Sequence, residues 1–468
     1  MRYHENVLGL IGGTPLVRLN RVVPKGGALL LAKMEHLNPG GSVKDRMARN
    51  MVERAEEAGL IKPGDTLVES TSGNTGLGLA ITAAVKGYRC VCTMPDKMSK
   101  EKIDMLKAFG AEVVVTRTDL DHEHPDSYVE VAKRIARETR GGFYTDQYFN
   151  MHNPEAHYLT TGPEIWADTD GRIDALVGGI GTGGTISGAG RFLKEKAAAA
   201  GRELAVVCPD PVGSIYYNEF HKNPPQPPGI YRVEGIGHDF MVGTLDFSVV
   251  DEVMEVGDRD SFLTARRLAR EEGIFCGGST GTALFGAIKV AERLGAGKTV
   301  VVVLPDSGDR YLSKCYDDDW MKDMGYLDAA GLQQRGTVRD IICRKGDRVE
   351  FAAPLDTLSQ VAGRMSKLGI SQMPLRHDGR MMMVHEVDLL HSLVSGKCKA
   401  EDPVVDTAKE LHGVVAMHDP LSRVQQVLAN DEVAVVIEGD AVAGIISKID
   451  LVQFLAGDDR GGPAGRAD

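Results

Sequence analysis

Lys44 closes a glycine-rich turn, Pro39-Gly40-Gly41-Ser42-Val43-Lys44, just before an amphipathic stretch. An amine so placed forms a Schiff base with a carbonyl when its site desolvates it or lowers its ammonium pKa; otherwise it is a solvated charge at a helix start. Two later segments favour the first use. Ser72-Gly73-Asn74-Thr75-Gly76 aims backbone N–H groups and the hydroxyls of Thr71, Ser72 and Thr75 at one point, which suits a carboxylate. The alternative is an ordinary strand-to-helix connection capped by Ser72 or Asn74. Gly181-Thr182-Gly183-Gly184-Thr185 lets the backbone approach an anion at a helix start, where the dipole adds roughly 0.3–1 kcal/mol, and so suits a phosphate. Gly179 to Gly184 also fits G-x-G-x-x-G, with Asp210 as the ribose ligand of a dinucleotide fold; that reading leaves Lys44 and Asn74 without a task.

The elements that must position these residues follow from periodicity. After Lys44, Met47, Met51 and Ala55 form one stripe with Ala48 and Val52 beside it, while Arg49, Asn50, Glu53 and Glu57 face away, which predicts a helix. Thr66 to Val68, Val113 to Val115, Ala175 to Val177, Val206-Val207 and Thr299 to Leu304 read as buried strands. Helices such as Ser127 to Thr139 alternate with them, as in a doubly wound α/β core. Cys90 and Cys92 share one face of a further strand, and a core role outweighs a redox pair. His122 and His124 lie in a polar loop with no Cys or further His beside them, so solvent exposure is expected rather than a metal.

The three motifs, in this order, resemble the pyridoxal-phosphate enzymes of the tryptophan-synthase β type, fold-type II, and especially the cystathionine β-synthase and cysteine synthase family. The resemblance extends through Gly12-Gly13-Thr14-Pro15, Glu234-Gly235-Ile236-Gly237, Cys276-Gly277-Gly278-Ser279 and Leu304-Pro305-Asp306-Ser307-Gly308. It implies that Lys44 carries the Schiff base of pyridoxal 5'-phosphate and that Asn74 contacts the ring hydroxyl. It further implies that Gly181, Thr182, Gly183, Gly184 and Thr185 hold the phosphate and that Ser279 bonds the pyridine nitrogen. A hydroxyl there cannot keep the ring protonated as a carboxylate would, which favours expulsion of a β-substituent. Lys44, once freed, becomes the general base for the Cα proton. Thr71, Ser72, Thr75 and Gln147 would hold the substrate carboxylate.

Asp146-Gln147-Tyr148 is closer to the cystathionine β-synthase pattern than to cysteine synthases, where phenylalanine typically follows the glutamine, so Tyr148 points to homocysteine as acceptor. A tyrosine that merely packs is the alternative. His238 stands where animal relatives have tyrosine, which leaves acceptor preference open. The expected reaction is condensation of L-serine with L-homocysteine to L-cystathionine and water. The alternative within the family is cysteine synthesis from O-acetylserine or serine and sulfide. Outside it stand a dinucleotide-dependent oxidoreductase and a non-catalytic adenosyl sensor on an enzyme fold. Animal relatives bind haem through an added N-terminal segment, whereas this chain enters the catalytic pattern almost at once; neither haem nor a metal is expected.

After the core, assigned to residues 1–316, Asp317-Asp318-Asp319 and Gly331 to Gly336 read as a tether over 317–336. A repeat follows. Leu358-Ser359-Gln360-Val361 recurs as Leu421-Ser422-Arg423-Val424, and Val387-Asp388-Leu389 as Ile449-Asp450-Leu451. The copies, 337–396 and 404–456, resemble a tandem pair of CBS domains, β-α-β-β-α modules that bind adenosyl ligands. By that resemblance Ser447 and Asp450 form a ribose site in the second copy, for S-adenosylmethionine or else AMP or ATP. Met381 to Asp388 lacks both the glycine and the hydroxyl in the first. A pair serving only oligomerisation is the alternative. Residues 457–468, rich in Gly, Asp and Arg, are expected to be disordered.

Composition limits the remaining classes. The 468 residues suffice for about three domains at ~150 residues each. A formal charge of -12 argues against nucleic acid and anionic membranes as partners. No apolar run approaches the roughly 20 residues of a membrane span, and the N-terminus lacks a signal pattern. Seven cysteines without disulfide or zinc spacing fit a reducing compartment, so a cytoplasmic protein is expected. The resemblance further implies a homo-oligomer, at least a dimer.

Overall fold

The computed structural model describes residues 1, 3–96, 98–117, 124–224, 226–327, 336–345, 349–377, 380–410, 413–430, 433–438 and 441–456. They form two compact units, Met1–Asp317 and Asp318–Asp468.

The first unit holds two sheets. The six-stranded sheet runs Leu16–Arg18, Leu29–Lys33, Thr299–Val303, Ala175–Val177, Ala205–Pro211, Glu252–Val256, with the first pair antiparallel and the rest parallel. The four-stranded sheet, Glu112–Thr116, Arg89–Pro95, Thr66–Ser70, Gly142–Tyr144, is wholly parallel. Parallel strands are hydrophobic on both faces because crossover helices cover both. Here Val300 and Val302 pack with Ala283, Leu284 and Ala287 of the helix Gly278–Leu294. Their alternates Val301 and Val303 pack with Ile186, Ala189 and Leu193 of the helix Gly184–Ala199.

The helix Lys44–Glu57 buries the expected stripe of Met47, Ala48, Met51, Val52 and Ala55. It is also held by charge: the buried Arg46 pairs with Glu35 at 2.7 Å and with Glu164 at 2.7 Å. Cys90 and Cys92 lie on one face of the strand Arg89–Pro95, both buried in the core, with sulfurs 3.9 Å apart. All seven cysteines are free thiols.

The second unit contains two three-stranded sheets. The later repeat shows the full β-α-β-β-α order: Val414–Ala416, Leu421–Asn430, Val433–Glu438, Ala441–Ser447, Lys448–Ala456. In the earlier repeat a single bridge from Ala352 to Leu375 stands for the first strand, followed by Leu358–Leu368, Gln372–His377, Arg380–His385 and Glu386–Val394. Met383 of the earlier repeat packs with Val433 and Val435 of the later one, which joins the two sheets.

Two boundaries differ from the sequence reading. The stretch expected as a tether contains the helix Asp318–Asp323, whose Met321 is buried. The helix Val338–Lys345, counted with the earlier repeat by chain order, packs Val338, Ile341 and Ile342 into the core of the later one. Chain order cannot reveal that, because an i, i+3, i+4 stripe states that a face is buried and not against what. Residues 328–335 of the tether and the tail 457–468 lie outside the described residues. Among the described residues, no helix is long and apolar enough to cross a membrane.

Candidate active site

The parallel strands end where the three motifs begin, which is where open α/β sheets gather ligands. Lys44, the first residue of its helix, lines a pocket with Gly181, Thr182, Gly183, Thr185, Gly235 and Ile236. Burial pulls its ammonium pKa down, and the carboxylate of Asp306 opposes only part of that shift. Lys44 is itself half-buried, so the amine is in a partly desolvated setting that suits imine chemistry while leaving it open to the pocket.

The glycines of the pocket floor are sterically required. A Cβ at Gly181 would stand 2.5 Å from the carbonyl oxygen of Gly235, and one at Gly184 would stand 2.0 Å from Oδ1 of Asn153. Asn153 is buried and donates from Nδ2 to the Thr182 hydroxyl and to the Gln147 carbonyl, both at 2.9 Å. Behind the loop, His157 bridges the hydroxyls of Thr161 at 2.9 Å and Thr185 at 3.2 Å. Burial, aided by the nearby Arg46 charge, pushes its pKa down to about 3, so the imidazole stays neutral. A helix of this length whose N-cap, Gly183, offers no side-chain cap and whose first turn has no acidic residue is suited to a phosphate, with the Gly184 N–H meeting the Thr182 hydroxyl at 3.4 Å.

Asn74 begins the helix Asn74–Lys86 and donates to Asp306 at 2.8 Å, while Arg310 donates to its carbonyl oxygen. Tyr311 also donates to Asp306, at 2.6 Å. The chain around Asp306 forms bridges to Ser42, two residues before Lys44, and, through Ser307, to Cys276, three residues before Ser279. Ser279 is buried in the first turn of its helix. One short segment thus brings together Lys44, Asn74 and Ser279, which are distant in sequence.

The carboxylate turn is tied down from below. The Thr71 hydroxyl accepts from the N–H groups of Gly73 at 3.0 Å and Gly76 at 3.4 Å, so it shapes the turn. Thr75 donates to the side chain of Gln147 at 2.6 Å, and Gln147 donates to the Ser70 carbonyl at 2.8 Å. Ser72 is half-buried beside them. Tyr148 is buried, its hydroxyl 3.3 Å from that of Tyr128, with the rings of His238 and Phe240 edge-on at 5.0 and 5.4 Å. Burial raises its phenol well above the ordinary range, so it stays protonated.

Other candidates fall elsewhere. Asp210, the ribose ligand of the dinucleotide alternative, is fully buried, accepts from the Tyr217 N–H at 3.2 Å, and has its carboxyl pushed up to about 7 by burial; it caps a turn instead of facing a ligand. His124 accepts from the Asp126 N–H at 3.1 Å in an exposed loop, and His122 lies outside the described residues. In the second unit, Ser447 donates from its hydroxyl to Asp450 at 2.6 Å and from its N–H at 2.7 Å. Lys345 donates to the same carboxylate oxygen and to the Ile445 carbonyl.

Sequence reasoning missed Arg310 and Asn153, and it quoted Asp306 within Leu304 to Gly308 without giving it a role. Asp306 had a further signal, as the first charged residue after the buried strand Thr299–Val303.

Residues 7–306 match the family described as pyridoxal-phosphate dependent enzyme. The chain is 38% identical over 472 residues to a cystathionine beta-synthase of Dictyostelium discoideum, covering 96% of this chain and 92% of that protein. It is 45% identical over 310 residues to a cysteine synthase of Staphylococcus aureus, covering 66% of this chain and 96% of that protein. Among solved structures, an O-ureido-L-serine synthase aligns with a TM-score of 0.62 at 37% identity, over 69% of this chain and all of the other.

Proposed function

Because the chain belongs to the pyridoxal-phosphate-dependent enzymes and, over nearly its whole length, to the cystathionine β-synthase family, we propose that it condenses L-serine with L-homocysteine to L-cystathionine and water. The observation that carries this reading is the continuity of the similarity through the second unit, which the cysteine synthase match does not span.

The residues fit the cofactor. Lys44 supplies a partly desolvated amine in a pocket floored by glycine backbone. In our reading Gly181, Thr182, Gly183, Gly184 and Thr185 hold the phosphate, Asn74 meets the ring hydroxyl and Ser279 the ring nitrogen. Bound there, pyridoxal phosphate supplies an electron sink for charge developing at the substrate Cα. Lys44 takes the Cα proton. Thr71, Ser72, Thr75 and Gln147 grip the serine carboxylate, which fixes the angle at which the Cα proton faces Lys44. Tyr148, uncharged and hydrogen-bonded to Tyr128, is placed to handle the proton of the incoming thiol, with His238 beside it.

The domain roles follow: a catalytic core over 1–316 and a CBS pair over 337–396 and 404–456, with the helix Val338–Lys345 serving the later member. The later one binds S-adenosylmethionine, or else AMP or ATP, at Ser447 and Asp450. The protein works as a homo-oligomer in the cytoplasm, a compartment that suits seven free thiols. The test is a side-by-side assay of acceptors. With serine as donor, homocysteine should give the larger kcat/KM. Sulfide with O-acetylserine ahead by orders of magnitude would replace this reading with cysteine synthesis.

A further inference from the structure

Glu69 lies under the substrate turn without a role in the chemistry above. It belongs to the strand Thr66–Ser70, two residues before Thr71, and is fully buried. Its Oε2 accepts from the Thr145 hydroxyl and, at 3.2 Å, from the backbone N–H of Gln147. Its Oε1 is buried with no hydrogen-bond partner. Thr145 is itself fixed by its N–H to the Val68 carbonyl at 3.0 Å. The next residue, Asp146, has φ +54, a left-handed conformation that aspartate tolerates better than most residues with a Cβ and that turns the chain sharply between Thr145 and Gln147.

We propose that Glu69 is a positioning residue for the reaction, a neutral carboxylic acid that holds the 145–148 turn so that Gln147 meets Thr75 and Tyr148 faces the acceptor. This rests on the proposed reaction, in which Gln147 and Tyr148 serve the substrates. The titratable groups that act on Glu69 are consistent with a neutral acid, and the cation Lys133 acts on Asp146. Cys92 comes from the adjacent strand, Tyr128 from the helix Tyr128–Glu138, Tyr144 from the strand Gly142–Tyr144, and Asp146 and Tyr148 from the turn; none of them is a cation. Burial, opposed in part by the Thr145 hydroxyl, pushes the carboxyl up to about 8. A protonated Oε1 is an unpartnered neutral hydroxyl, which costs less in this site than an unpartnered carboxylate oxygen would.

Ionisation then has a defined consequence. Above about pH 8 a charge appears beneath the serine carboxylate and beside Asp146. Serine affinity should fall by about fivefold between pH 7 and 9, approaching the roughly tenfold limit that one pKa unit of repulsion between carboxylates gives only at higher pH.

The test titrates serine alone into the cofactor-loaded protein, following the cofactor's absorbance, at pH 6 to 9. Amide protection of residues 145–148 is measured without substrate on the same samples. Glu69→Gln keeps both acceptor contacts and cannot ionise: it should bind serine as wild type does at pH 7 and lose the alkaline fall relative to wild type. Thr145→Val removes a donor that lowers the Glu69 pKa, so it should move the fall to higher pH. An unchanged fall in both variants, or turn protection in Glu69→Gln that keeps the wild-type step near pH 8, overturns the proposal. If serine evokes no absorbance change in wild type while the protection step is lost in Glu69→Gln, the reaction class is wrong and the support of the turn by Glu69 stands.

Discussion

In Met1–Asp317 the charged groups that position the site are buried and have several partners each. Arg46 reaches Glu35 and Glu164, Asp306 receives Asn74 and Tyr311, and Glu234 is held by Lys102 and Lys314. In Asp318–Asp468 the pair that matters, Lys345 with Asp450, has side chains 41% and 15% exposed. Removing one member of a buried pair strands a charge and costs about 3–5 kcal/mol, whereas an open pair is worth roughly 0–1 kcal/mol. The first arrangement fixes geometry before any ligand arrives. The second is a weak contact open to solvent.

The largest effect expected from this contrast is at Lys44. Lys44→Ala should lower turnover by at least about 10³-fold, within the range that one positioned proton-transfer group supplies, while the glycine floor still takes up pyridoxal phosphate. After borohydride reduction of wild type, mass spectrometry should find the pyridoxyl group on Lys44. An adduct on another lysine would move the reacting amine out of the pocket lined by Gly181 to Thr185.

Much of this was legible in the sequence because local rules and global packing agree there. The helix after Lys44, the buried strands Ala175–Val177 and Thr299–Val303, and the glycine loops each announce themselves through period or turn chemistry. The assembly of the site was less legible. Asp306 gathers Ser42, Asn74 and Tyr311, the first two more than two hundred residues away, and no window on the chain shows that convergence. Asn153 sits in an ordinary helix start, yet it joins Gln147 to Thr182. Glu69 reads as a polar interruption of a strand until Thr145 and Gln147 are seen to meet it. In the second unit the repeat was visible, but the packing of Val338–Lys345 on the later copy was not.

A second prediction sharpens the contrast through stability alone. Arg46→Ala leaves Glu35, fully buried, without its guanidinium. Burial by itself would raise the Glu35 carboxyl, and Arg46 is what brings it below its ordinary value. Unfolding of the catalytic unit by urea should therefore lose about 3–5 kcal/mol, while Lys345→Met should cost under about 1 kcal/mol. Equal losses from both substitutions would show that burial does not separate the two units in this way.

The smallest effect on stability is expected at Lys345, and there the informative readout is binding. Burial would raise the Asp450 carboxyl, but the donors Lys345 and Ser447 bring it below its usual value, so it is ionised at neutral pH with its Oδ2 already occupied. A ribose whose two hydroxyls bridge both carboxylate oxygens must compete with the Lys345 ammonium for Oδ2. For S-adenosylmethionine, whose sulfonium is cationic, Lys345→Met removes both a competitor and a repulsion, so affinity should rise several-fold. For ATP the same change removes the competitor too, but it also removes an attraction to several phosphate charges, which outweighs that gain, and affinity should fall. Asp450→Ala should abolish binding of whichever ligand the module takes. Calorimetric titration of the three proteins with each ligand separates these outcomes, since the sign of the Lys345→Met effect reports the charge of the bound ligand. Wild-type affinity in Asp450→Ala would remove the ribose site from the later repeat and leave the displaceable pair as a surface contact only.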